Sequence, residues 1–339
     1  LDELALAEAL LKGDSSALGL MVNGIESRNS GADSSQYKQS GSDFQPLGAV
    51  AYATDYAEGR FAETKVTIYA DIPEGENVVV VPTQHYAEAN AWQGGGITLQ
   101  SGRNEITIPR IGSGNSERGG SLYLKYSGSR PQDIKLHVRQ GITAIPTLKL
   151  TDWDDLDEAA RKARITTYIE ALTKYTQDHK NQMNQTGIHN STELSLPTVL
   201  LSIPASQVLA AIKPTGADIE AAAQNLYNNV LAWKEIISIC NTTQGIEGPM
   251  QSRQNIRYMQ MFGSAFMYAA GSHVGIGYGS CGGMVSGKPV ASMTEGAQAN
   301  NLFGWGIAHE IGHNMDKLGK AEITNNIYSL MVQTYDGNQ

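Results

Sequence analysis

Two histidines and two glutamates near the end of the chain have the spacing of a metal site. His309, Glu310 and His313 form an H-E-x-x-H pattern, and Glu322 follows nine residues after His313. Residues four apart on a helix share one face, so the two imidazoles can bind one cation. Glu310 can then reach a water on that cation without being a ligand. Because a catalytic zinc keeps three protein ligands and a position for water, Glu322 is predicted as the third ligand, and the pattern indicates a zinc hydrolase, more specifically a peptidase.

The segment around this motif is predicted to be a buried helix. Gly306 and Gly312 each cost a helix about 1 kcal/mol relative to Ala, so we expect another backbone or a substrate to approach closely there. The alternative is an exposed helix whose two histidines only face solvent. Apolar residues on several sides of the segment favour burial: Ala297, Leu302, Phe303, Trp305, Ile307, Ala308 and Ile311.

Residues 322–334 are predicted to form a second helix. Apolar side chains recur there at helical spacing, beside a polar stripe that contains Glu322, Asn326 and Ser329. A carboxylate and an amide one turn apart suit a metal ligand and a residue that either orients that ligand or hydrogen-bonds substrate. Asn326 is therefore a candidate for both roles. In the alternative interpretation, Glu322 is an ordinary acid in the first turn of a helix.

Composition excludes several classes of function. The 339 residues carry 25 basic and 34 acidic side chains, a net charge of −9, which disfavours binding to nucleic acid or anionic membranes. No apolar run approaches the roughly 18 residues of a membrane span. Cys240 and Cys281 have no metal-binding spacing, and the sequence leaves open whether they pair. Because the chain begins at Leu1 without a basic n-region, we expect a trimmed or processed form.

The hydrophobic pattern predicts an α+β protein in three parts. Residues 1–45 are predicted to hold a helix (1–12) and a linker (23–45), and residues 46–147 an antiparallel β-sandwich. Residues 148–339 are predicted to be mainly helical. The strands predicted for the sandwich are 64–70, 77–81, 96–99, 104–108, 121–126 and 133–138. The elements predicted after it are helices at 152–181 and 217–241 and a buried strand at 197–204.

A glycine-rich segment, residues 273–278, is a candidate for substrate binding. A strand beside the metal commonly binds an extended peptide by β-addition, and Gly277 would allow close approach. The alternative is a glycine-rich surface loop. An oxyanion beside the zinc needs a hydrogen-bond donor, and His273, Tyr278 and Tyr328 are candidates for that role.

The motif region resembles the M60-like (enhancin and mucin-degrading) zinc metallopeptidases. The resemblance is strongest in residues 308–314 and 321–330, where the string E-I-T-N-N-I-Y-S-L is more specific than the zinc motif alone. Residues 56–69 are similar to the opening of the family's β domain, and residues 108–124 to its close. The resemblance covers about residues 46–339.

This resemblance implies a secreted or cell-surface bacterial endopeptidase with a gluzincin-type zinc domain. Its substrates would be O-glycosylated proteins such as mucins. His309, His313 and Glu322 would bind Zn²⁺, and Glu310 would be the general base for a zinc-activated water. The alternatives are a glycan-indifferent peptidase of the same zinc class and a non-catalytic glycan-binding adhesin. Relatives generally continue with a further helical region, whereas this chain stops 17 residues after Glu322, so a truncated catalytic domain is also expected.

Overall fold

A computed structural model describes most of the chain. The described residues are 20–26, 44–51, 64–84, 92–108, 119–140, 142–185, 187, 189–213, 216–245, 253–271, 273–290, 301–316 and 318–336. The helix predicted for residues 1–12, and most of the linker predicted for 23–45, lie outside them. The described residues divide into two compact units, with the boundary between Ala144 and Ile145.

The first unit consists of two antiparallel sheets. Its strands are β1 (Leu20–Asn23), β2 (Gln45–Ala51), β3 (Thr64–Asp71), β4 (Asn77–Pro82), β5 (Ile97–Thr98), β6 (Gly102–Ile108), β7 (Gly119–Ser127) and β8 (Lys135–Gln140). The strand orders are β1-β8-β3-β6 and β2-β7-β4-β5. The six strands predicted between residues 64 and 138 are present, with ends that differ by two residues or fewer. Alternating apolar residues of both sheets form one core, which includes Ile68, Val80, Leu124 and Val138.

The second unit is built around a six-stranded mixed sheet. Its strands are β9 (Thr147–Lys149), β10 (Thr192–Ser195), β11 (Val199–Ile203), β12 (Gln254–Tyr258), β13 (Met267–Ala270) and β14 (His273–Ile276), in the order β13-β14-β12-β11-β10-β9. The pairs β9/β10, β11/β12 and β12/β14 are parallel, and the other two are antiparallel.

This sheet shows that the predicted fold class is wrong. The protein is a mixed α/β protein with several sheets, not an antiparallel β-sandwich followed by a mainly helical domain. The prediction included β11 and β14 but missed the strands around them, and for β10 the physical reason is burial, because it is buried at every position and so lacks the period-two alternation that reveals a strand. Most of these strands are also only three or four residues long.

Five α-helices complete the described part of the second unit. They are α1 (Glu158–Asp178), α2 (Ala205–Ile212), α3 (Ile219–Gln244), α4 (Trp305–Met315) and α5 (Asn326–Tyr335). Asp157 caps α1 and Asp218 caps α3, each accepting a hydrogen bond from a backbone N–H at 2.7 Å. The helices and the sheet enclose one apolar core that includes Trp233, Ile256 and Ile307. Among the helices described, none is both long enough and apolar enough to cross a membrane.

Candidate metal centre

Helix α4 carries the H-E-x-x-H motif and is fixed by burial along one side. Ile307, Ala308 and Ile311 are buried in the core of the second unit, as predicted. A hydrogen bond from the Ser329 hydroxyl of α5 to the backbone oxygen of Trp305, 2.9 Å long, ties the first turn of α4 to its neighbour. The motif therefore lies on a helix held by packing, not on an exposed one.

The side chains of the three predicted metal ligands converge on one point. Nε2 of His309 and Nε2 of His313 are 3.1 Å apart. The two carboxylate oxygens of Glu322 lie 3.2 Å from His309 Nε2 and 3.0 Å from His313 Nε2. The Glu322 side chain is 69% exposed, so solvent reaches the point where the three side chains meet. This arrangement provides three side chains that can bind a metal ion, and it leaves one side of the site open to solvent.

The donor set fits a zinc ion. Zinc binds imidazole nitrogen and carboxylate oxygen at 2.0–2.2 Å, which places neighbouring ligands of a tetrahedral site about 3.3 Å apart. The observed separations of 3.0–3.2 Å are close to that spacing. The nitrogen and oxygen donors also match the ligand types that zinc accepts.

Glu322 reaches this point from a turn, not from the helix predicted for residues 322–334. Helix α5 begins at Asn326, and Glu322 has a φ of 64°, the only positive φ among the described non-glycine residues. Asp316, which follows α4, fixes the turn by accepting hydrogen bonds from the Leu318 N–H and the Thr324 hydroxyl. The predicted helix is therefore wrong over its first four residues, because the chain must reverse to bring the carboxylate back to the imidazoles.

Gly312 allows α5 to approach α4 closely. A Cβ atom at Gly312 would lie 2.6 Å from the Asn325 backbone oxygen and 3.1 Å from the Tyr328 ring. Asn326, in the first turn of α5, consequently reaches His309, and its Oδ1 lies 2.7 Å from the His309 Nδ1. Close backbone approach, predicted from the cost of glycine in a helix, is confirmed at this position.

Glu310 lies beside the three convergent side chains. One ligand atom each of His309, Glu310 and His313 lies within 4.8 Å of the other two. Burial raises the pKa of the Glu310 carboxyl above its ordinary value. The nearby His309 opposes this shift in pKa, and the carboxylate of Glu322 adds to it. A carboxyl with a raised pKa, close to a point where water can sit, suits proton transfer.

Two of the residues predicted to stabilise an oxyanion lie inside the fold. His273 is fully buried, and its Nε2 is 2.8 Å from the hydroxyl of Tyr268. Tyr328 is also buried, and its hydroxyl donates to the side-chain oxygen of Gln244 on α3. In the structure both polar groups therefore have hydrogen-bond partners within the fold.

Tyr278 and Gly277 do not contact the convergent side chains in the structure either. The Tyr278 hydroxyl is 3.2 Å from Oγ of Ser206 on α2. The Gly277 N–H donates to the backbone oxygen of Phe266, 2.9 Å away, and so is not free for substrate. The strand predicted within residues 273–278 exists as β14, but β12 and β13 pair with it on either side. Both edges of this strand are therefore occupied by neighbouring strands in the structure.

The edge strand beside α4 is β13, which the sequence analysis did not find. A Cβ atom at Gly306 of α4 would lie 3.1 Å from Met267 Sδ and 3.2 Å from the Phe266 ring. In the sheet order no described strand lies beyond β13. The two-residue G-S loop after Ala270, followed by H-V-G-I, is a hairpin signal that points to this strand.

Comparisons with known proteins agree with this geometry. Residues 196–336 match the family model for Peptidase M60, enhancin and enhancin-like. No curated protein sequence matches the chain.

Solved structures of similar fold come from bacteria. The M60 catalytic domain of Clostridium perfringens ZmpC in complex with the sialyl T antigen matches with 22% identity and a TM-score of 0.64, over 93% of this chain and 56% of that one. The ZmpB metallopeptidase from Clostridium perfringens matches with 22% identity and a TM-score of 0.64, over 93% and 58%. A metallopeptidase from Bacteroides thetaiotaomicron matches with 16% identity and a TM-score of 0.60, over 98% and 50%.

The chain thus spans between 50% and 58% of the length of these three structures. The family match includes the motif helix α4, the turn that carries Glu322, and most of the sheet behind them. Residues 196–336 therefore match the model of the Peptidase M60, enhancin and enhancin-like, family, and this match supports the resemblance seen in the sequence.

Proposed function

We propose that the protein is a zinc-dependent endopeptidase that cleaves O-glycosylated proteins. The observation that carries this proposal is the convergence of His309, His313 and Glu322, with Nε2 and carboxylate atoms 3.0–3.2 Å apart. The match of residues 196–336 to a peptidase family supports hydrolysis of peptide bonds over other zinc chemistry. The family match does not depend on the side-chain distances, so the two observations support the proposal separately.

The residues of the site have separate roles in this proposal. His309, His313 and Glu322 would hold the zinc, which when bound supplies a Lewis acid that polarises the scissile carbonyl and makes a water acidic. Glu310 takes the proton of the attacking water and delivers it to the nitrogen of the leaving amine. The raised pKa of Glu310 suits this exchange, because the carboxyl must first accept the proton and then release it.

The edge of β13 is suited to bind an extended peptide. In an antiparallel pair of strands, residue pairs that exchange backbone hydrogen bonds alternate with pairs that do not. Because the Gly277 N–H donates to the Phe266 oxygen, Phe266 and Gly277 are a hydrogen-bonded pair. With the register Tyr268↔Gly275, the backbone groups of Met267 and Ala269 point away from β14, towards the open edge. A substrate strand would pair with these two residues beside the first turn of α4.

The substrate class is inferred from the structures of similar fold. One of them is described in complex with the sialyl T antigen and another in complex with the Tn antigen, both of which are O-glycans. We therefore extend the proposal to mucin-type glycoproteins. Such substrates are extracellular, so the proposed location is the outside of a bacterial cell, by secretion or at the surface.

A matched pair of peptides tests the proposal. One peptide carries a single O-glycan on Ser or Thr, the other has the same sequence without sugar, and mass spectrometry follows the products. We expect the zinc-loaded protein to cut the glycopeptide alone. Glu310→Gln should retain zinc and lose activity by about 10²- to 10⁴-fold, because only the proton acceptor is removed.

The other outcomes contradict defined parts of the proposal. Equal cleavage of both peptides would replace it with a glycan-indifferent peptidase. Zinc-loaded protein that binds the glycopeptide but cuts neither peptide would make the protein a glycan-binding module. Full activity of Glu310→Gln would remove Glu310 as the base.

A further inference from the structure

One amide side chain, that of Asn326, contacts two of the three proposed zinc ligands. Its Oδ1 lies 2.7 Å from Nδ1 of His309, and its Nδ2 donates to the backbone oxygen of Glu322 over 2.8 Å. The sequence left two roles for Asn326, orientation of a ligand or a hydrogen bond to substrate. Both ends of its amide are already engaged by the protein.

The contact with His309 selects one form of the imidazole. An amide oxygen only accepts hydrogen bonds, so this contact favours a hydrogen on Nδ1 of His309. The Asn325 Nδ2, a donor, lies farther from the same atom, at 3.3 Å. The neutral ring then presents the lone pair of Nε2, the atom that lies 3.1 Å from His313 and 3.2 Å from Glu322. The second contact of Asn326 fixes this choice, because a reversed amide would set its oxygen against the carbonyl of Glu322.

The contact with Glu322 holds an unusual backbone conformation. Glu322 has a φ of 64°, in the left-handed region that disfavours residues other than Gly, Asn and Asp. A residue other than Gly, Asn or Asp keeps a positive φ only where contacts with the surrounding structure hold its backbone in place. The hydrogen bond from Asn326 to the Glu322 oxygen closes the turn over four residues, and so aims the carboxylate back at the two imidazoles.

We propose that Asn326 is a positioning residue that sets zinc affinity by fixing two ligands at once, and not a residue that binds substrate. This inference rests on the proposed function, since it concerns the ion held by His309, His313 and Glu322. Residues that orient metal ligands typically change metal affinity by 10- to 100-fold when they are replaced. A residue that only binds substrate would leave zinc affinity unchanged and raise KM.

Three variants test this role through zinc affinity, measured by competition with a chelator. Asn326→Ala removes both contacts and should weaken zinc binding about 10- to 100-fold. Asn326→Asp keeps the acceptor for His309 and loses the donor to Glu322, so it should restore part of the lost affinity. Gln333→Ala is the matched control, because it shortens another amide of α5, two turns away from the site, and should leave zinc affinity unchanged.

Two further readouts separate positioning from a general effect on folding. The Co²⁺-loaded protein should show an altered d–d absorption spectrum in Asn326→Ala, partly restored in Asn326→Asp. The unfolding midpoint of the metal-free protein should be similar in the variants. Zinc affinity of Asn326→Ala within twofold of that of the wild type would overturn the inference, as would an unchanged cobalt spectrum.

A fourth variant, His309→Ala, distinguishes failure of this inference from failure of the proposed function. Loss of zinc binding in His309→Ala, with normal binding in Asn326→Ala, would overturn only the role of Asn326. Normal zinc binding in His309→Ala would overturn the metal centre itself.

Discussion

At the scale of single residues, the two glycines of α4 differ in what surrounds them. A Cβ atom at Gly312 would meet the backbone oxygen of Asn325 at 2.6 Å, and backbone cannot move without shifting α5. A Cβ atom at Gly306 would meet the ends of the Met267 and Phe266 side chains at 3.1 and 3.2 Å. Flexible side-chain ends can yield by a few tenths of an ångström. The sequence predicts a close approach at both glycines, but only the structure shows which neighbour is rigid.

These surroundings predict opposite outcomes for two alanine substitutions. Gly312→Ala should destabilise the protein by about 1–2 kcal/mol, because overpacking outweighs the gain in helix propensity. It should also weaken zinc binding, since Asn326 moves with α5. Gly306→Ala should be neutral or stabilising, by up to about 1 kcal/mol. Denaturant unfolding and chelator competition measure both effects, and a Gly312→Ala variant as stable as Gly306→Ala would contradict the packing argument.

At the scale of elements, the hairpin of β13 and β14 is locked by one buried contact. The ring of Tyr268 lies against Gly275, where a Cβ atom would be 2.2 Å from it, and the Tyr268 hydroxyl contacts the His273 imidazole. Burial of His273, with a smaller contribution from Arg257, lowers the pKa of its imidazole from 6.5 to about 3. His273 is therefore neutral in the folded protein at any pH where the enzyme would work.

This buried imidazole predicts how stability depends on pH. Between pH 6.5 and about 3 the unfolded chain binds a proton at His273 that the folded protein does not bind. The contribution of neutral His273 to the free energy of unfolding is therefore complete above pH 6.5. It decreases as the pH falls, by about 1.4 kcal/mol per pH unit for one proton. His273→Gln should reduce this slope by that amount, as measured by urea unfolding between pH 4 and 7. Equal slopes for the two proteins would show that His273 is not held neutral.

Elements also show where sequence patterns stop being informative. Strand β6 follows a period of two and is predicted, since one of its faces is buried and the other exposed. Strand β12 has the sequence Q-N-I-R-Y, which reads as a surface segment, yet Gln254, Asn255 and Arg257 are buried. Helical spacing did not predict the turn at Glu322. The positive φ of Glu322 depends on hydrogen bonds made within the turn by Asp316 and Asn326, and the spacing of residues in the sequence does not reveal these bonds.

At the scale of the whole molecule, the two units have separate apolar cores, and the metal centre belongs entirely to the second. The motif spacing was sufficient to predict that His309, His313 and Glu322 converge, because helix geometry places the first two and the family pattern the third. The residues that we propose bind substrate, at the edge of β13, were not predictable in the same way. They depend on which strand lies at the edge of the sheet, and that follows from the tertiary order of the strands.

The two cysteines give a test of the core of the second unit. Cys240 and Cys281 are both free and buried, which answers the pairing question that the sequence left open. Burial raises the pKa of both thiols, to about 12 for Cys240, so neither forms a reactive thiolate at neutral pH. Titration with a thiol reagent should detect no reactive cysteine in the folded protein and two after unfolding. Rapid reaction before unfolding, or no reaction after it without a reductant, would contradict this arrangement.

Metal content is the decisive property to measure, because every proposed role depends on one zinc held by His309, His313 and Glu322. Elemental analysis of the protein after equilibration with zinc and removal of the excess should give one zinc per chain. Glu322→Gln removes the charged ligand and leaves both imidazoles, so it should reduce the zinc retained under the same conditions to well below one per chain. A wild-type protein that retains no zinc, or a Glu322→Gln variant that retains a full equivalent, would show that these three side chains do not form a zinc site.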